Sequence, residues 1–395
     1  MRRSLRTPVA IGAIAVAAYW LIGFRAGAAS PDFLLLADAF LHGRTWIDPA
    51  TLHGPWDRID IDGRTYLPFA PLPALVFMPL VALFGVPATA WAQPFINAAL
   101  AGACVALGYV VISRFDGGVL RDRLWVTALF AFSTPLVTIV ARGGPWHQGQ
   151  LLATICSLLA ILEASGRRRG PLLGALGGAG FLARAPVLLA VPLYTWAAGA
   201  AATVGDARPA ARRLVRAAAL VAAGALPALA FALWYNAARF GSVAESGYGI
   251  AALPPFLETL RGEGLFSLAH VPRNIDYFLL HLPLVGGPPL YLRPDGLGLS
   301  VLLTSPGLLI GVKARQWDAF LVGCGLTAVL VFIPSLLYYG GGWIQSGFRY
   351  FLDAIPFLLP IIAAGTRGGL GLRWKLLIAA GIAVNLWTVP WVYGF

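Results

Sequence analysis

Apolar runs about as long as a bilayer is thick follow one another along almost the whole chain, parted by short turns that carry arginine. A hydrocarbon layer ~30 Å thick takes about 20 apolar residues per helical crossing. The chain is 58% hydrophobic and 12% charged, with mean hydropathy +0.76, whereas soluble domains carry about 25% charged residues. Lipid rather than water is therefore its solvent. The pattern reads as an all-α polytopic membrane protein forming one transmembrane domain over residues 1–395. About eleven crossings are expected, near 7–24, 91–112, 124–141, 147–164, 170–184, 186–203, 214–236, 297–312, 317–339, 349–366 and 375–393. The first run has a signal-like start, and Ala26-Gly27-Ala28 offers a small-residue cleavage site. At about 18 residues it exceeds a signal-peptide core, so it reads as a retained helix.

The net charge of +12 does not point to nucleic acid, because no basic face with interleaved aromatics exists. The cations instead fall in alternate turns: Arg2, Arg3 and Arg6; Arg114, Arg121 and Arg123; Arg167 to Arg169; Arg208, Arg212, Arg213 and Arg216; Lys313 and Arg315; Arg367, Arg373 and Lys375. Only Asp116, Asp122, Glu163, Asp206 and Asp318 accompany them. This imbalance orients the chain with its N-terminus in the cytoplasm. The proline-rich stretch 71–86 would break that alternation if it crossed, so it reads as a re-entrant or interfacial helix. Cys104, Cys156 and Cys324 lie in apolar runs without metal-ligand spacing, which argues against a disulfide or a zinc site.

Two outer segments, 25–70 and 237–296, exceed ordinary connectors, and long loops carry function. The first is expected to hold an amphipathic helix on the membrane, from the spacing of Phe33, Leu36, Phe40 and Leu41. It also gathers Asp32, Asp38, Asp48, Asp57, Asp60 and Asp62. Arg184, Arg239 and Arg349 stand at outer helix ends, with His147 and Gln148 at another. A charge near the bilayer is costly and faces a cavity or a partner. Carboxylates beside arginines suit an anionic headgroup, because a guanidinium fork matches phosphate oxygens and a carboxylate serves as general base. Asp32 and Arg184 are the strongest candidates. Asp38 is a second candidate acid on a different helical face, while Asp57, Asp60 and Asp62 read as a solvated turn before Gly63. Arg239, Arg349 and His147 can equally be anchors or caps. Charge and spacing alone leave open a transferase, a transporter and a polymerase.

Four stretches resemble the GT-C superfamily of polytopic glycosyltransferases, near the protein O-mannosyltransferases and aminoarabinose transferases: residues 32–43 (DFLLLADAFLHG), 66–75 (YLPFAPLPAL, followed by Phe84-Gly85), 234–248 (WYNAARFGSVAESGY) and 348–356 (FRYFLDAIP). Trp146-His147-Gln148 and Arg184-Ala185-Pro186 add fainter similarity. The resemblance covers most of the chain and implies a GT-C-like fold in a bacterial plasma membrane with its site on the extracytoplasmic face. It implies a polyprenyl-phosphate sugar donor and a glycan, lipid or protein acceptor. Asp32 would be the catalytic base, Arg184, Arg239 and Arg349 would hold the donor phosphate, and Tyr66, His147, Gln148 and Tyr350 would line the substrate. Phe33 stands where many relatives carry a second acid, which weakens a divalent-metal site; no metal ligand set is assigned. The alternatives are a lipid-linked sugar flippase, which should show repeats or broken midplane helices, and an O-antigen-type polymerase or ligase, whose residues would lie in a late outer loop.

Overall fold

The computed structural model describes residues 5–23, 30–49, 54–142, 144–200, 210–286 and 291–393. Its main helices are α1 (Arg6–Gly23), α2 (Asp32–Leu41), α3 (Leu72–Phe115), α4 (Leu120–Phe132), α5 (Pro135–Arg142), α6 (Pro145–Ala164), α7 (Gly170–Ala183), α8 (Val191–Ala200) and α9 (Ala210–Phe240). They continue with α10 (Pro255–Gly262), α11 (Val271–Ile275), α12 (Val301–Thr304), α13 (Ala319–Leu337), α14 (Ile355–Ala364) and α15 (Leu372–Tyr393). Two small antiparallel hairpins decorate the loops, β1 (Ile59–Ile61) with β2 (Arg64–Tyr66) and β3 (Leu284–Val285) with β4 (Leu292–Arg293). Asp62 and Gly63 turn the first with φ of 48° and 73°, the left-handed pair that tight hairpins need.

Among the described residues, five helices are long and apolar enough to cross a membrane: α1, α3, α9, α13 and most of α15. The pair α4–α5, bent by 47°, makes a sixth if taken as one span. Fewer spans than the expected eleven emerge by this measure, because local geometry divides several apolar runs and the continuous α6 carries His147, Gln148 and Gln150 in its first turns. A 3₁₀ turn at Ala185–Ala190 follows α7, another at Pro306–Lys313 follows α12, and a third at Arg349–Asp353 precedes α14. Val215, Leu226, Leu233 and Trp234 of α9 and Leu326, Val329 and Ile333 of α13 stand exposed. Apolar faces this continuous require lipid or another apolar partner.

The core sits where α3, α6, α13 and α14 meet, around Val105, Leu151, Leu158, Phe357 and Leu359. Lipid tails are as apolar as leucine, so close packing rather than water exclusion holds helices together in a membrane. The chain meets this with glycine. A β-carbon at Gly174 of α7 would collide with the Val221 carbonyl of α9, and one at Gly224 of α9 would collide with the Pro171 carbonyl of α7. Gly102 of α3 meets Gly12 and Val16 of α1 in the same way.

The first outer segment departs from its sequence reading. Helix α2 does not reserve an apolar face for lipid: Phe33, Leu34, Leu36, Ala37 and Ala39 are all buried, against Ala74, Phe77 and Val81 of α3 among others. Helix α3 is broken at Gly85, whose φ of 75° and ψ of 167° lie outside helical space, and the Thr89 hydroxyl donates to the freed Gly85 carbonyl at 2.7 Å. Pro71, before the first half, lines the same cavity as Ser30. Gln93, after the break, donates to the Ser30 carbonyl at 3.4 Å. The start of the first limb and the start of the second thus both lie near Ser30.

Gly224→Val should overpack the α7–α9 seam by roughly 1–3 kcal/mol. The expected result is a lower melting temperature in detergent, whereas the same change at exposed Gly262 leaves it unmoved.

Candidate functional site

One end of the bundle encloses a cavity of about 630 Å³. The walls come from helix ends and from the loops that join them. Asp32 opens α2, His147 lies in the first turn of α6, Arg184 follows α7, Arg239 lies in the last turn of α9, and Arg349 and Tyr350 lie in the turn before α14. The arginine-rich turns, at Arg114, Arg167 to Arg169 and Lys313, occupy the opposite helix ends.

Asp32 is buried, and its Oδ1 accepts from the Ser30 hydroxyl at 2.6 Å. Burial raises its proton affinity, and the Ser30 bond only partly offsets this. Asp57 shares the cavity, correcting its reading as a solvated turn. Its φ of 56° is a left-handed conformation that aspartate tolerates better than most residues. Its amide donates to Ala252 at 2.8 Å, and the Ala252 amide donates to Arg58 at 2.9 Å, tying the two long outer segments together. Burial pushes the Asp57 carboxyl up to about 6, with Arg349 opposing and Asp32 reinforcing the shift. Asp57 therefore sits within electrostatic reach of both the Arg349 guanidinium and the Asp32 carboxylate.

The three arginines differ. Arg184 donates through Nε and Nη2 to Asp353 Oδ2 at 3.1 and 2.7 Å, so its charge is already matched; it also lies 5.1 Å from the Tyr350 ring centre. Arg239 is held by oxygens without formal charge. It donates to the carbonyls of Leu67 at 2.7 Å, Tyr235 at 3.2 Å and Ser246 at 3.3 Å, and to Asn236 Oδ1 at 2.9 Å. It thereby fastens α9 to both outer segments.

Arg349 is the least satisfied of the three. Its side chain reaches only His147 Nε2 at 3.4 Å and the Tyr350 hydroxyl at 3.3 Å, and its buried Nε has no hydrogen-bond partner among the described residues. Its backbone, by contrast, is pinned. Gln345 accepts its amide at 3.1 Å and Gln150 donates to its carbonyl at 2.9 Å. His147 Nδ1 accepts the Gly144 amide at 3.1 Å, so a neutral ring carries its proton on Nε2 and turns a donor toward Arg349. Two donors facing each other over a cavity form a seat for an anion.

Aromatic rings complete the wall. Tyr338 lies 6.1 Å from Tyr350, 6.5 Å from Tyr248 and 4.6 Å from Tyr339, centre to centre. Three sequence candidates fall outside the cavity lining. Asp38 is exposed beside His42 and Arg44 at 3.6 and 3.8 Å. Gln148 is buried and donates to Asn97 at 3.1 Å. Tyr66 packs on Phe240 at 5.7 Å. Asp353, Tyr248, Tyr338 and Tyr339 were not singled out in the sequence, although an acid inside the apolar run FRYFLDAIP does demand a partner. Among the described residues, no group of three His, Cys, Asp or Glu side chains could hold a metal ion.

The raised Asp57 carboxyl weakens the fold at neutral pH. The folded state holds its proton up to about pH 6, against an ordinary value of 3.8, so the penalty is complete above pH 6 and vanishes below about 4. Asp57→Asn should raise the melting temperature at pH 7.5, with the gain fading by pH 4; a gain independent of pH would refute this origin. No family model, curated protein or solved structure matches the chain.

Proposed function

We propose that the chain is a membrane glycosyltransferase that moves a sugar from a polyprenyl-phosphate donor to an acceptor hydroxyl, with inversion, on the extracytoplasmic face. The observation that carries this reading is Arg349, a buried cation whose side chain meets only neutral hydrogen-bonding groups and whose Nε has no partner among the described residues, sharing its cavity with two carboxylates of raised proton affinity. A buried unmatched donor marks a missing acceptor. A carboxylate with raised proton affinity suits general-base work near neutral pH.

In this reading Asp32 takes the proton of the acceptor hydroxyl as its oxygen bonds to the sugar C1. The C1–O bond to phosphate breaks, and the electron pair leaves on the polyprenyl phosphate. Arg349 and His147 meet the charge that grows on that oxygen, a contact worth more in the transition state than before it. Arg184, already matched by Asp353, orients Tyr350 and adds a weaker field. Arg239 holds the two outer segments in register. The tyrosines offer flat faces and hydroxyls to the sugar, and Phe181, Leu182, Ala232 and Pro334 give the lipid chain an apolar approach.

The same reading places all eleven apolar runs across a bacterial plasma membrane, with the short helices and 3₁₀ turns completing the crossings. It is supported by the separation of the cavity from the basic turns at opposite helix ends.

Asp32→Asn should cut transfer by ~10²-fold or more while binding of a polyprenyl-phosphate sugar, read by lipid-binding assay, persists. Undiminished transfer would remove the proposal, and donor translocation without transfer in the unaltered chain would favour a flippase. Arg349→Ala should weaken donor affinity by about tenfold or more with the melting temperature retained. The rate should fall with acidity at a pH above the usual carboxylate range, because burial raises the proton affinity of both acids.

A further inference from the structure

At the far end of α6 and α7 from the cavity lies a second hollow, of about 410 Å³, where Arg114, Arg167, Arg169 and Glu163 face leucines of both helices. We propose that it binds the headgroup of an anionic phospholipid in the leaflet opposite the cavity.

Charge is the first argument. Glu163 is fully engaged by Arg169: Oε1 accepts from its amide at 2.8 Å and its Nε at 2.9 Å, and Oε2 accepts from Nη2 at 2.9 Å. That pair is neutral and rigid. Arg114 is fixed by neutral oxygens, with Nη1 donating to the Leu162 carbonyl at 2.5 Å and to Ser165 Oγ at 2.9 Å. Arg167 is exposed on the rim. The lining therefore carries three guanidinium groups against one carboxylate, and its net charge calls for an anion.

Shape is the second argument. Below the arginines the walls are Leu159, Leu172 and Leu176, with Leu159 exposed. A free phosphate or a nucleotide has no use for a leucine slot, whereas a phosphate ester on a glycerol backbone with acyl chains fits both halves. Position is the third. Helix α6 has 20 residues, so at 1.5 Å per residue its two ends stand about 30 Å apart. With the cavity at one interface, this hollow lies at the other. Basic pockets between helices at such a level take acidic headgroups.

The test uses the full-length chain in detergent with equal amounts of phosphatidylglycerol and phosphatidylcholine, bound lipid being counted by native mass spectrometry. Phosphatidylglycerol adducts should exceed phosphatidylcholine adducts about tenfold. Arg114→Gln with Arg167→Gln should bring that ratio near one. Arg167→Gln alone, at an exposed side chain that the fold does not need, should lower it several-fold. Arg373→Gln, which removes a cation of the same face from outside the hollow, should leave it unchanged. A ratio near one in the unaltered chain, an unchanged ratio in the Arg167 variant, or an equal fall in the Arg373 variant would overturn the proposal. So would displacement of the lipid by millimolar inorganic phosphate, because the leucine slot would then contribute nothing.

Discussion

A cation held away from water must be answered by something negative, and the upper end of this bundle is arranged around how each of its arginines is answered. Arg184 has Asp353 at 2.7 Å, and Arg239 has a ring of carbonyls. Arg349 has backbone fixed by Gln345 and Gln150, yet its head meets only a histidine and a phenol. A ligand can answer only the third. The first two hold the walls in place, so that the third is offered in a fixed geometry. Preorganised charge of this kind is stronger in a dry site than in water.

The helical class and the apolar solvent of the chain are legible in the sequence, because each follows from composition along a run. The sequence also picked out Arg184, Arg239 and Arg349, which the structure brings to one cavity. It did not disclose how each arginine is matched. Asp353 lies 169 positions from Arg184, and nothing local pairs them. Asp57 looked solvated because its neighbours Gly54, Pro55 and Asp60 are turn formers. The loop from the other half of the chain, at Ala252, is what covers it. Asp38 and Tyr66 misled for the converse reason: each sits in a segment that does reach the cavity, but its own side chain points elsewhere. Proline and 3₁₀ geometry shorten helices that composition alone would draw as continuous.

Glycine sets how closely the helices can approach. Where α7 meets α9, Gly174 and Gly224 let backbones touch, and these are the helices that end at Arg184 and Arg239. Packing in the bilayer and arginine placement at its edge are one problem: a methyl group in the seam would tilt two walls of the cavity. Gly85 plays a different part. It lets α3 turn back so that its first limb can support α2, the helix that presents Asp32.

The two long loop segments are joined by apolar packing of Ile59 and Tyr66 with Ala251 and Phe240, and by hydrogen bonds of unequal strength. At the base, Arg239 ties Leu67 to Ser246 through charge-assisted bonds. At the tip, Asp57, Arg58 and Ala252 share two backbone bonds at 2.8 and 2.9 Å. Two such bonds contribute about 1–3 kcal/mol together, and burial of Ile59, Tyr66 and Ala251 seals the same seam. Lifting the roof therefore costs those bonds and that seal, but none of the glycine contacts that set α7 against α9.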